Sequence, residues 1–201
     1  MIKSFFTDRY TALDVETQIG DRVLFTMQQV HGSHVSVVDK NSLHVSIKTD
    51  ALISCEHGVA LCVVVADCNP ILCWDEHLGV IAAVHAGRIG SYEGILQKTL
   101  MRMQKEFICK PWNIHVSIGP SIRSCCYEVG NEVIHGFEEF THDKDGKIYL
   151  DLLKLNLKQA KDAGVLEKNI AYSPVCTHCD ANYFSYRREK TTKRFCGVIY
   201  Q

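Results

Sequence analysis

His31, Cys68 and His85 are the residues whose types and setting point most directly to chemistry. His31 stands before Gly32, Cys68 sits in Ala66-Asp67-Cys68-Asn69-Pro70, and His85 stands before Ala86-Gly87. Each follows a run of residues that reads as a strand, so each falls on a turn at a strand end, where rigid strands can aim it at a shared point. Two imidazoles and a thiolate are donors that zinc accepts. Catalytic zinc sites use three protein ligands and keep a fourth position for water, whose pKa the metal lowers toward about 7. The same donors also suit a blue-copper ion. With ten histidines and ten cysteines in the chain, many such triples can be drawn. Spacing alone leaves Cys68 open to two other readings, a buried thiol or a nucleophile with His85 as its base.

Other residues near these motifs carry secondary expectations. Gly87-Arg88-Ile89-Gly90-Ser91 leads into a helix, whose free N–H groups attract anions, with Arg88 adding charge; the plain alternative is a glycine turn with an exposed arginine. Tyr186 and Arg187 suit stacking on a base and bidentate contact to a phosphate, or else belong with Arg188 to a solvated surface strand. Asp67 reads as an acceptor behind the ligands, as a base, or as a turn former. His34 is a reserve ligand that a regular strand turns away from His31. Cys176-Thr177-His178-Cys179 resembles half of a zinc ribbon, but no second pair stands at similar spacing, so ordinary thiols are expected there. The adjacent Cys125 and Cys126 are poorly placed to bridge each other, and one of them is expected to be buried.

The elements that must position these groups follow from the hydrophobic pattern. Strands are expected over 22–30, 33–39, 51–54, 58–66, 70–74, 80–84 and 113–118, with two more near 169–173 and 195–200. The runs 58–66, 70–74 and 80–84 are nearly all apolar, as in strands covered on both faces. Ser91 is expected to cap a helix to about residue 107, a second helical face spans 130–140, and Asp151 caps a third helix that stops at Gly164. Many strands mixed with three helices read as an α/β or α+β layered domain, taken as one unit over residues 1–201. Cys62 and Cys73 lie inside apolar runs and are expected in the core.

Composition narrows the class. Apolar residues make up 46% and charged residues 22%, the balance of a folded globular chain. The net charge of −1 argues against nonspecific nucleic-acid binding or a polybasic membrane contact. The longest apolar run, Val59 to Ala66, is too short to span a bilayer. The first nine residues mix acid and base as no secretory signal does, so the expectation is a cytoplasmic protein with reduced thiols.

Five segments resemble the YfiH/YlmD family of laccase-domain, polyphenol-oxidase-like proteins. They are Gln29-Val30-His31-Gly32, the run Ala66 to Leu72, Ala83-Val84-His85-Ala86-Gly87, Ile118 to Ile122 running into Cys126 to Gly130, and Phe184 to Arg188. They occur in family order and span residues 29 to 188, most of the chain. The resemblance implies that His31, Cys68 and His85 bind zinc, with copper as a lesser candidate. It also implies a layered α-β sandwich with a mixed sheet and the site in a surface cleft. The expected activity is phosphorolysis of purine nucleosides, with small-molecule substrates (nucleoside and phosphate), Cys68, His85 and Asp67 as reacting groups, and Arg88, Tyr186 and Arg187 touching substrate. Adenosine deamination, amide hydrolysis of mischarged peptidoglycan precursors and copper-dependent phenol oxidation are the alternatives. The family pattern His-Ala-Gly-Trp-Arg-Gly is here His85-Ala86-Gly87-Arg88-Ile89-Gly90, which moves the arginine one position. Lys193-Arg194 stands where Gly-Arg is common, and no early Asn-Leu-Gly segment is present.

Overall fold

The computed structural model describes residues 1–12, 14–42 and 47–201. In chain order these form β1 (Lys3–Phe6), α1 (Val15–Ile19), β2 (Val23–Phe25), β3 (Val35–Val37), β4 (Ala51–Ser54), β5 (Val59–Val65), β6 (Asn69–Asp75) and β7 (Val80–Ala86). Then come α2 (Arg88–Tyr92), α3 (Ile95–Glu106), β8 (Ile114–Ile118), β9 (Glu128–Val129), β10 (Thr141–Lys144) and β11 (Lys147–Leu150). The chain ends with α4 (Leu152–Asp162), β12 (Ile170–Tyr172), α5 (Tyr186–Glu189) and β13 (Phe195–Tyr200).

The architecture is a layered α-β sandwich. One sheet runs β1-β13-β5-β2 and a larger one runs β12-β8-β6-β7-β4-β3, each mixing parallel and antiparallel pairs. Side chains alternate across a strand, and β5 and β7 show what that alternation buries. From β5, Leu61 and Val63 face Leu72, Ile81 and Ala83 in a core between the sheets. Ala60 and Cys62 turn the other way, onto Val15 and Ile19 of α1. Val80, Ala82 and Val84 of β7 pack on Ile95, Leu96, Leu100 and Met103 of α3 and on Ala160 of α4. Both strands are therefore covered on both faces, which explains their unbroken apolar sequence. His85 continues the face of Ile81 and Ala83, so it emerges at the end of the core between the two sheets.

Several expectations need correction. The strand expected over 22–30 ends at Phe25, because the Gln29 side chain takes over the pairing. Its amide donates to the Val64 carbonyl at 2.9 Å and accepts from the Val64 N–H at 3.0 Å, satisfying backbone groups of β5. The helix expected from Ser91 is two helices, α2 and α3, separated by Gly94 at φ +78°. Ser91 is buried within α2, where its hydroxyl accepts from Asn156 at 3.1 Å instead of capping a helix. The helical face expected over 130–140 is two short 3-10 turns parted by Gly136 at φ +83°. The strand expected over 80–84 runs on to Ala86, so His85 lies within it and pairs with Pro70.

Other expectations hold. Asp151 caps α4 by accepting from the Lys154 N–H at 2.8 Å. The strands near 169–173 and 195–200 are β12 and β13, and Cys62 and Cys73 are buried. Among the described residues, no helix is long and apolar enough to cross a membrane.

Candidate metal centre

His31, Cys68 and His85 meet at the open end of the core between the sheets, with one donor atom from each lying within 4.8 Å of the others. They arrive from three places: the loop after β2, the loop between β5 and β6, and β7. Two of these approaches use left-handed backbone. His31 sits at φ +60° and Asp67, just before Cys68, at φ +97°, conformations that cost a non-glycine residue of the order of 1–3 kcal/mol unless the surroundings hold them.

The surroundings do hold them. The fully buried Asp50 carboxylate accepts the backbone N–H groups of His31 at 3.0 Å, Gly32 at 2.8 Å and Val30 at 3.3 Å. It also accepts from His85 Nδ1 at 2.8 Å. One acid thus fixes the His31 loop and leaves Nε2 as the free nitrogen of His85. Asp67 is pinned in the same way, accepting from Thr177 Oγ1 and from the Arg187 N–H, each at 2.7 Å.

The electrostatics follow from this placement. Burial opposes charge on Cys68, but hydrogen bonds and positive charge from His31 and His85 outweigh it and bring the thiol down to about 6. Burial likewise opposes charge on His85, yet Asp50 and the Cys68 thiolate raise it to about 9. Asp50, despite its burial, is held below the usual carboxylate range by His85 and the backbone N–H groups. Gly87 closes the floor. A Cβ there would stand 3.2 Å from Cys68 Sγ, 3.5 Å from His31 Nδ1 and 3.6 Å from His85 Cε1. The nitrogen–sulfur–nitrogen donor set and this bare floor fit a metal ion.

Above the donors lies a cavity of about 670 Å³. Among the described residues, Arg88, Arg187, Lys190 and Arg194 line it and Asp67 is the one acid that does, with its carboxylate already engaged. Tyr127 and Tyr186 supply aromatic surface, and Met27, Val65, Ile122 and Leu152 supply apolar wall. Arg187 lies over the Tyr127 ring and donates to the Glu128 carbonyl at 2.8 Å. Lys190 lies over the Tyr186 ring.

The chain matches the family described as multi-copper polyphenol oxidoreductase laccase over residues 7–201. The chain belongs to this family. It is 39% identical over 180 residues to a purine nucleoside phosphorylase of Campylobacter jejuni, covering 87% of this chain and 75% of that one. It is 38% identical over 187 residues to a purine nucleoside phosphorylase of Corynebacterium glutamicum, covering 90% and 74%. Among solved structures it resembles YlmD of Geobacillus stearothermophilus with a TM-score of 0.87 and 29% identity, covering 95% of this chain and 78% of that one. YfiH of Bacillus licheniformis superposes with a TM-score of 0.85 and 26% identity, covering 96% and 78%.

In this laccase-family chain, His31, Asp67, Cys68, His85, Arg88, Tyr186 and Arg187 all line the cavity. Arg88, in its shifted position, opens α2 and faces the cavity, but α2 is a single turn of five residues and offers little dipole. Tyr186 and Arg187 belong to the short helix α5 rather than to a surface strand. Arg188 is half-buried rather than freely solvated; it donates to the carbonyls of Thr177, His178, Asp180 and Tyr183. His34 is not among the grouped donors. Sequence reasoning missed Asp50, Tyr127, Lys190 and Arg194. Asp50 left one signal, an acid set directly before the wholly apolar Ala51-Leu52-Ile53.

Proposed function

We propose that this chain is a metal-dependent purine nucleoside phosphorylase, folded as one unit over residues 1–201, in which His31, Cys68 and His85 hold one zinc ion. The observation that carries this reading is the mixed donor triad opening onto a cavity that, among the described residues, is lined by four cationic side chains and one engaged acid. The names of relatives at 38–39% identity support the substrate class. When bound, zinc would act as a Lewis acid on an oxygen of phosphate or ribose.

The chain's own residues do the rest. Arg88, Arg187 and Lys190 hold phosphate and offset its charge as one of its oxygens approaches C1′ of the ribose. That oxygen forms a bond to C1′ while the C1′–N9 bond breaks. The electron pair leaves with the purine, which takes up a proton, and ribose 1-phosphate remains. Tyr127 and Tyr186 flank the base, and the apolar wall keeps water from competing with phosphate. Asp50 and Asp67 are positioning residues, for His85 and for Cys68 with Arg187. Adenosine deamination belongs to the same reading, with water adding to C6 of the adenine and the C6 amino group leaving as ammonia. The chain acts in the cytoplasm, which suits ten unpaired thiols.

A second reading has its own support. Without metal, Cys68, His85 and Asp50 form a thiol–imidazole–carboxylate series, the arrangement of a cysteine hydrolase acting on amides, including those of mischarged peptidoglycan precursors. Copper oxidation of phenols has less support, because a multicopper centre needs further clustered histidines. Among the described residues, the groups suited to a metal are this triad and a cluster of four cysteines.

The test is phosphate-dependent release of base from inosine and adenosine by zinc-loaded protein, by chelator-stripped protein and by Cys68→Ala. The proposal expects release by the loaded protein, lost in the other two. Amide hydrolysis that survives stripping but not Cys68→Ala selects the hydrolase. A loaded protein that leaves both nucleosides intact overturns the substrate class.

A further inference from the structure

The fold brings together two cysteine pairs that are far apart in sequence. Cys125-Cys126 lies in the loop after β8, and Cys176-Thr177-His178-Cys179 lies in the loop after β12. Sequence spacing pointed to ordinary thiols at 176 and 179 and to one buried cysteine at 125 or 126. The structure corrects the second and supplies a partner pair to the first. Cys125 is exposed, Cys126 is half-buried, and the second pair that a zinc ribbon requires is supplied by tertiary contact. All four sulfurs lie within 4.8 Å of one another, with Cys126 Sγ 3.2 Å and Cys125 Sγ 3.9 Å from Cys179 Sγ.

We propose that Cys125, Cys126, Cys176 and Cys179 bind one zinc ion as a closed tetrathiolate site, distinct from the His31 centre. The size of the group argues for a single ion. Zinc–sulfur bonds of about 2.3 Å in a tetrahedron set the sulfurs about 3.8 Å apart, and the observed approaches lie on both sides of that edge. A cluster of several irons would spread its four cysteines over different metals and hold them farther apart. A disulfide needs two sulfurs at about 2.05 Å, whereas here four converge on one point.

The loops are shaped for the ion. The N–H groups of Cys179 and Asp180 both donate to the Cys176 carbonyl, at 3.1 and 2.9 Å, in a tight turn that presents 176 and 179 on one side. The N–H groups of Cys126 and Tyr127 both donate to the Arg123 carbonyl at 2.9 Å, forming the facing turn. The Arg123 N–H reaches Cys176 Sγ at 3.5 Å, as N–H groups do around metal-bound thiolates. The loops are also tied to each other without metal, through a parallel bridge of Ser121 with Cys176 and a 3.1 Å bond from the Thr177 N–H to the Ser121 carbonyl. The ion would therefore meet a largely formed site. None of the four cysteines lines the cavity, and four thiolates leave no place for substrate, so the role is structural. The site would brace the cavity wall, because Tyr127 follows Cys126 directly and Arg188 grips the carbonyls of Thr177, His178 and Asp180.

Metal analysis of the full chain, purified with zinc and then freed of loose metal, tests this. Cys125→Ser/Cys179→Ser changes two exposed side chains and is expected to hold one zinc fewer than wild type. The deficit should appear equally when Cys68→Ala is present. Replacing zinc with cobalt in Cys68→Ala should give the intense thiolate-to-cobalt absorption of a tetrathiolate. If the double variant does not fold, site-resolved alkylation of wild type decides. The four thiols should be protected until a chelator is added and then react together. Equal zinc in wild type and the double variant, four thiols reactive before chelation, iron in place of zinc, or a Cys126–Cys179 disulfide found by mass would each overturn the proposal.

Discussion

The two donor clusters found among the described residues are built on opposite plans. The His31–Cys68–His85 group combines two nitrogens and one sulfur, lies at the end of the core between the sheets and opens onto a cavity of about 670 Å³. The four-cysteine group uses sulfur alone, sits in two loops and contributes none of that cavity's lining. In the first, a buried acid stands behind a histidine and the donors shift one another's protonation. In the second, support comes from backbone N–H groups in tight turns. An open site with three mixed donors suits chemistry, and a closed site with four equal donors suits bracing. Chain distance teaches nothing here, since both groups join residues about fifty positions apart.

The sharpest test of this contrast is Asp50→Asn. The amide keeps the shape but no longer stabilises a proton on His85 Nδ1 or accepts the loop N–H groups as a carboxylate does. Loss of such a partner typically costs 10–100-fold in metal affinity or activity. A loss of that order is expected in a competition assay for zinc at the His31 site, with the four-cysteine zinc unchanged. If both sites weakened together, the comparison would fail, since Asp50 touches only one.

Thiol reactivity gives the next largest contrast. In metal-free protein, Cys68 is brought down to about 6 by the two histidines, so it is a thiolate above that pH and protonates as pH falls through it. Burial, with Cys176 and Cys179 beside it, pushes Cys125 up to about 11 against an opposing contact from Cys126, so it remains a thiol at pH 7. Alkylation of Cys68 at pH 7 should exceed that of Cys125 by more than about tenfold, with a midpoint near pH 6. Site-resolved mass spectrometry reads both at once. A Cys68 midpoint near pH 9 would show that the histidines do not stabilise its thiolate.

The donors of the first site were legible because strand patterning places His31, Cys68 and His85 at strand ends, and the five ordered family segments single them out. Their support was not. Asp50 is 35 residues from His85, and no local spacing announces a contact made only when β4 pairs with β7. The same limit hid the four-cysteine group, which a search for a second pair at ribbon spacing cannot find. Helix periodicity failed where glycine overrides it. The apolar residues near 95–107 and 130–140 do repeat helically, but Gly94 and Gly136 take positive φ and cut the helices. The β10–β11 hairpin had a readable signal, Asp145-Gly146, both with positive φ as a two-residue turn demands.

The cavity wall is expected to yield smaller, separable effects. Arg187 is exposed and makes one carbonyl contact while lying over Tyr127. Arg187→Ala should raise the KM for phosphate by roughly tenfold, in line with one charge-assisted contact, with kcat changed less and both metals retained. Higher salt should narrow the gap between variant and wild type. An unchanged phosphate KM would remove Arg187 from the anion site and leave Arg88 and Lys190 to account for it.

Arg188, one position on, should behave differently, because its guanidinium serves the frame rather than the ligand. It donates to the carbonyls of Thr177 at 2.7 Å, His178 at 3.0 Å and Asp180 at 3.2 Å, and also to Tyr183. These bonds join α5, which carries Arg187 and Tyr186, to the loop that carries Cys176 and Cys179. Arg188→Ala leaves those carbonyls to partial hydration, a cost of about 1–3 kcal/mol. Thermal unfolding should show that loss in full in metal-free protein, and less of it once zinc occupies the four cysteines, since the ion and the arginine hold the same loop. Equal losses with and without zinc would mean that the two braces act independently.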